Sequence, residues 1–176
     1  MKKWILLNEQ EYENVWDRFY DEFAFNPNID GDQSFKFSCP YITYDLPNYF
    51  EGKWTDDDDY IFDHILLEAL ILCTEKHEYI YALDWQHAGY WMNPSLNLNL
   101  NEDDHQWKIP FFPDGDYYFF LQKDFKWGYL GHPWEKVIYI FGAELIKNFK
   151  ELRASRLKKT NVELPPLSLR LEEGDS

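Results

Sequence analysis

Three five-residue runs, Tyr79-Ile80-Tyr81-Ala82-Leu83, Tyr117-Tyr118-Phe119-Phe120-Leu121 and Val137-Ile138-Tyr139-Ile140-Phe141, carry no charged residue and no break in apolar character. A strand with one wet face alternates apolar and polar side chains, so runs without alternation must be covered on both faces. They are predicted as central strands of a sheet. Around them the pattern predicts strands over 79–85, 90–92, 107–112, 117–121, 127–130 and 136–141. Asp114-Gly115 is a hairpin signal between two of these segments, and short connections imply antiparallel order.

Helical periodicity appears in three places. Tyr12, Val15, Trp16, Phe19 and Phe23 form an i, i+3, i+4, i+7 stripe, with Asn8 as N-cap and Glu11 three residues later. Thr55 and the run Asp56 to Asp59 supply a cap and an acidic first turn for a helix over 60–74, where negative charge suits the helix dipole. That helix is apolar nearly all round and is predicted to lie deep against the sheet. The aspartate run lacks the alternating ligands and the glycine of a calcium loop. A last helix is predicted over 143–156, with Leu145, Ile146, Phe149 and Leu152 inward.

The remaining segments read as connections. Asn26-Pro27-Asn28 and Asp30-Gly31-Asp32 mark a loop, the Tyr41 to Tyr44 stretch after Pro40 reads as an edge strand, and 93–106 reads as a long polar insertion. The expected architecture is α+β: an antiparallel sheet of about five or six strands, packed by the buried helix and flanked by the first and last helices. Residues 1–157 form the single domain and 158–176 a loosely held tail.

Asp and Glu number 32 against 17 Lys and Arg, a formal charge of −15. Such a field repels phosphate backbones and anionic membranes and steers basic partners inward, while also serving solubility. Neither nucleic acid nor a membrane is an expected partner. The start, Met1-Lys2-Lys3-Trp4-Ile5-Leu6-Leu7, has too short an apolar run for a secretory signal, and the reading is a cytoplasmic protein. Cys39 and Cys73 lack metal-like spacing and read as buried thiols.

The groups able to do chemistry fall in three short segments: Asp84 and His87; Asp114 and Asp116; His132 and Glu135. If the strand ends converge, two imidazoles and several carboxylates would border one cleft, a set that suits a metal site or a general acid/base pair. None has the i, i+4 helical spacing of a zincin. Each also has a structural role: Asp114 in a turn, Asp116 as acceptor of neighbouring backbone N–H groups, His132 as partner of a loop at the rigid Pro133 corner, and Asp84 in a buried polar network. Trp85, Tyr90, Trp91, Trp107, Trp127 and Trp134 surround these groups and can line a binding surface or pack in the core.

The ordered segments YALDWQH, PDGDYYFFL-x-x-DF and GYLGHPWE, followed by an apolar strand and FG-x-x-LI, resemble the bacterial family catalogued as domain of unknown function 2716 over residues 81–146. The resemblance groups Asp84, His87, Asp114, Asp116, His132 and Glu135 and implies no reaction. Three functional readings stand beside it. The first is a non-catalytic acidic binding module of immunity or antitoxin type that docks a basic protein. The second is a small hydrolase or metal-assisted enzyme using His87 or His132 with Asp84, Asp116 and Glu135. The third is a small-molecule sensor with an aromatic pocket.

Overall fold

The computed structural model describes residues 1–27, 34–46, 51–53, 55–97, 107–160 and 168–170. The elements run β1 (Trp4–Leu6), α1 (Glu9–Phe23), β2 (Tyr41–Asp45), α2 (Asp56–Leu72), β3 (Ile80–Asp84), β4 (Gly89–Met92), β5 (Tyr118–Leu121), β6 (Gly128–His132), β7 (Val137–Phe141), α3 (Ala143–Thr160) and β8 (Ser168–Arg170). Seven strands form one antiparallel sheet in the order β1-β4-β3-β5-β6-β7-β2, and the three-residue β8 pairs with β2 at its far edge.

Helices cover both faces of that sheet. On one, Val15, Trp16, Phe19 and Phe23 of α1 pack with Phe25 and Phe35 against Leu83, Phe119, Leu121, Leu130 and Phe141. On the other, Phe62, Ile65, Leu66 and Leu70 of α2 join Leu145 and Phe149 of α3 against Ile80, Ala82, Phe120, Tyr129, Ile138 and Ile140. The alternation of strand side chains sends consecutive residues of β3, β5 and β7 into the two cores in turn. Their lack of a polar face follows from that double burial.

Both leading helix caps form as their residue types dictate. Asn8 Oδ1 accepts the Glu11 backbone N–H and Glu11 Oε2 accepts the Asn8 N–H, each at 2.9 Å. Thr55 and Asp58 repeat the reciprocal pair at α2, with Asp58 Oδ2 accepting the Thr55 N–H at 2.8 Å. Each box satisfies two backbone donors that the first turn would otherwise leave unbonded. Among the described residues, no helix is long and apolar enough to cross a membrane.

Four expectations need correction. The sheet exceeds five or six strands, because Trp4–Leu6 pairs with β4 and Ser168–Arg170 pairs with β2. Residues 107–112 form no strand. Pro110 cannot donate to a ladder, and Trp107, Phe111 and Phe112 instead pack their rings into the α2 side of the core. Asp114-Gly115 consequently joins no hairpin; it turns the chain into β5, whose partners are β3 and β6. The last helix runs to Thr160, past the expected end. Of the polar segment 93–106, Pro94–Asn97 forms a 3-10 turn and 98–106 lies outside the described residues, as do 28–33 of the first loop.

Candidate functional site

Strand register assembles the site at one end of the sheet. Asp84, the last residue of β3, stands opposite Tyr118, and Tyr118 opposite Gly131 of β6. The ladder continues one step further, with Trp85 donating its backbone N–H to Tyr117 O at 3.1 Å. The chain then turns back through Gln86, in the left-handed region at φ 64°, and the His87 N–H closes the turn on Asp84 O at 3.1 Å. This places the His87 side chain over Asp84, with Asp116 arriving from the segment before β5.

His87 Nδ1 lies 3.1 Å from Asp84 Oδ1 and 3.5 Å from Asp116 Oδ2. The imidazole is 63% exposed, whereas both carboxylates are largely covered. Asp116 Oδ1 accepts its neighbour's backbone N–H, from Tyr117 at 2.8 Å, which leaves Oδ2 facing the imidazole. The hydrogen bond and the charge of Asp84, with Asp116 behind, raise the His87 pKa above its ordinary value. Desolvation raises that of Asp84, opposed by His87 and reinforced by Asp116 and Asp114. Asp114 is occupied as the acceptor of the Tyr118 hydroxyl at 2.7 Å. Burial, then this bond, lifts the Tyr118 phenol.

The second histidine belongs to a different network. By alternation His132 shares the face of Leu130, on the α1 side, while Asp84 shares the face of Ala82, on the α2 side. His132 is fully buried among Phe35, Tyr117 and Trp134. Its Nδ1 accepts the Glu135 backbone N–H at 3.1 Å, and its Nε2 faces Ser34 Oγ at 2.9 Å and Glu135 Oε1 at 3.4 Å. Serine and carboxylate thus address the same ring nitrogen. A nucleophilic triad needs them on opposite nitrogens, with the serine reachable, and Ser34 is 1% exposed. Glu135 is further engaged by the Tyr139 hydroxyl at 2.5 Å. Asp84, His87 and Asp116 come together; His132 and Glu135 form a separate pair.

The six aromatic candidates also scatter. Trp127 is buried in the α2-side core, and Tyr90 and Trp107 pack there on Trp4. Trp91 stacks on Tyr81 on the opposite face and donates to Glu11 Oε1 at 3.2 Å. Trp134, 37% exposed, leans on Tyr117. Trp127 reaches the edge of an open groove of about 470 Å³ beside the end of α2, and Trp85 lines a second, of about 500 Å³, between α1 and the β3–β4 turn.

The other walls of that groove are Tyr12, Glu13, Trp16, Asp17, Tyr20 and Gln86. Trp16 forms its buried floor, edge-on to Tyr12, and the Trp85 indole donates to the Tyr20 hydroxyl at 3.1 Å. Glu13 and Asp17 are exposed at its rim. The cation of α1, Arg18, is drawn away by Glu22 at 2.6 Å, by the Lys123 and Asp124 carbonyls at 2.8 Å each, and by the Phe125 ring. In the sequence Tyr12 and Trp16 belong to the core stripe of α1, and Glu13, Asp17 and Tyr20 lie outside that stripe. The i, i+4, i+7 spacing of these three marks one outer face of α1.

The chain matches the family model described as a protein of unknown function (DUF2716) over residues 6–146, from β1 into the first turn of α3. It is similar to the uncharacterized protein YxiI of Bacillus subtilis (strain 168), with 32% identity over 151 residues that cover 84% of this chain and 92% of that protein. No solved structure matches it.

Proposed function

The chain belongs to the DUF2716 family of proteins of unknown function, and from that premise we propose that it works by binding: the groove between α1 and the β3–β4 turn docks a basic segment of a protein partner. The observation that carries this reading is the composition of the groove, four aromatic rings with two carboxylates at the rim and α1's one arginine turned elsewhere. A lysine or arginine side chain entering there meets ring faces and a negative rim together, the combination that stabilises a partly desolvated cation. The net charge of −15 adds long-range attraction for the same partner. Small acidic immunity and antitoxin proteins bind basic partners through such charge complementarity, and the extension to this chain is by analogy of size and charge.

The test is titration with an oligo-lysine or oligo-arginine peptide, followed by tryptophan fluorescence and by stopped-flow at several salt concentrations. Saturable binding is expected, with an association rate that falls as salt screens the attraction. Trp85→Ala and the pair Glu13→Gln with Asp17→Asn are each expected to weaken it at least about tenfold, the order reached when an interface anchor is removed. Equal affinity for an acidic peptide, or binding untouched by these substitutions, would overturn the reading.

A further inference from the structure

We propose that Asp84, His87 and Asp116 bind one divalent transition-metal ion of the zinc class, through His87 Nδ1, Asp84 Oδ1 and Asp116 Oδ2, with water completing the coordination. This site lies across the β3–β4 turn from the groove and is independent of what the groove binds.

The first support is geometric. Three ligand atoms from three residues lie within 4.8 Å of one another. The two spacings from nitrogen to oxygen, 3.1 and 3.5 Å, bracket the edge of about 3.3 Å that a tetrahedron with bonds of ~2.0–2.1 Å requires. The larger separation bound applies to the two carboxylates, which repel one another while only an imidazole lies between them. An ion at their centre replaces that repulsion with attraction.

The second support is charge. Among the described residues, the cationic group paired with Asp84 and with Asp116 is His87. Among the described residues no lysine or arginine pairs with either carboxylate, and Asp114 adds a third carboxylate nearby through its bond to Tyr118. A proton shared with one imidazole balances this charge only in part. A divalent ion displaces that proton from Nδ1 and supplies two positive charges at the same point.

The third is that the ligands are positioned by structure that does not depend on the ion. Asp84 is held by the β3–β5 ladder, Asp116 by the bond from the Tyr117 N–H to its other oxygen, and the turn that carries His87 by its own backbone bond to Asp84. The presence of an imidazole selects against calcium and magnesium, which take oxygen ligands, and for zinc or its neighbours. The exposed side of His87 leaves room for one or more waters on the ion, an open rather than a closed coordination sphere.

Untagged full-length protein should be titrated with zinc chloride by calorimetry, and with cobalt(II) as a spectroscopic probe whose visible bands report coordination number. One equivalent is expected to bind, with a shift of the His87 ring resonances in NMR and none for His132. His87→Ala and Asp116→Asn are each expected to reduce the affinity by at least about tenfold, the scale of losing one ligand or its support. Because the His87 side chain is exposed, His87→Ala should keep the wild-type melting temperature, so weaker binding will report the ligand and not the fold. Trp85→Ala should leave zinc binding intact, which separates this site from the groove. Zinc bound without perturbing His87, affinity unchanged in both ligand variants, or no binding at millimolar zinc would each overturn the proposal.

Discussion

His132 Nδ1 accepts the backbone N–H of Glu135 at 3.1 Å, and a ring nitrogen that accepts a proton donor cannot carry a proton of its own. The ring's proton therefore sits on Nε2, facing Ser34 Oγ at 2.9 Å. This one imidazole joins the corner after β6 to the chain before β2, deep under Phe35 and Tyr117. It is a fastener between distant segments.

Removing that fastener should be costly. His132→Ala leaves the Glu135 N–H and the Ser34 hydroxyl short of a partner in a dry interior, at roughly 1–3 kcal/mol for each, and opens a cavity besides. A loss of about 3–5 kcal/mol is expected by urea denaturation. His132→Gln, whose side-chain oxygen can still accept an N–H, should lose less. A variant of unchanged stability would show that the ring is not structural.

Asp63 of α2 titrates far from the ordinary 3.8 of a carboxyl, pushed up to about 7 by burial and by the neighbouring Asp59. The folded chain holds this proton where the unfolded chain has released it, so the contribution of Asp63 to stability is fully present below 3.8 and is lost as pH rises to about 7. The decline is at most about 1.4 kcal/mol per pH unit. Asp63→Asn should remove this dependence and raise the melting temperature at pH 8 more than at pH 5. Equal shifts at the two pH values would refute the assignment.

Gly142, between β7 and α3, sits at φ 86°, and a Cβ there would come within 2.5 Å of the Lys126 carbonyl oxygen, with Trp127 alongside. Both the backbone conformation and the space demand glycine. Gly142→Ala should cost at least about 2 kcal/mol, seen as a fall in the thermal midpoint. A neutral result would mean that the 126–127 corner can yield.

Gln86 occupies the left-handed region at φ 64° without being glycine. Left-handed backbone costs an ordinary L-residue roughly 1–2 kcal/mol. Gln86→Gly relieves that strain and, after the entropy glycine adds to the unfolded chain, is expected to stabilise by a few tenths to about 1 kcal/mol. Gln86→Val should destabilise instead, because a β-branched side chain fits this conformation worst. Urea midpoints of the two variants, moving in opposite directions from wild type, check the pair.

The parts of this fold legible in the sequence are those fixed by local physics. The Asn8/Glu11 cap, the Thr55 cap and the two-sided apolar runs of β3, β5 and β7 each follow from neighbours within a few residues. β1 escapes such reading because Ile5 and Leu6 are exposed on a three-residue edge, so its pattern is that of an end of chain and not of a core strand. Residues 107–112 mislead for the opposite reason: their rings fill the core from irregular backbone, and periodicity cannot tell the two apart. At the site, the contact of Asp84 with His87 spans three residues, while that of Ser34 with His132 spans 98. Only the first kind can be suspected before coordinates exist, and the separation of the two histidines onto opposite faces depends on strand parity across several turns.

The pairing of β2 with β7, with every residue from Tyr41 to Asp45 matched to one from Phe141 back to Val137, sets an order of events during biosynthesis. β2 emerges from the ribosome long before its partner exists, whereas β5, β6 and β7 follow one another and can zip as they appear. The nascent chain must therefore carry β2 without this partner until β7 has been made. Slow, late closure of this edge is the expected signature of its high contact order, and chaperone recognition should concentrate on that interval.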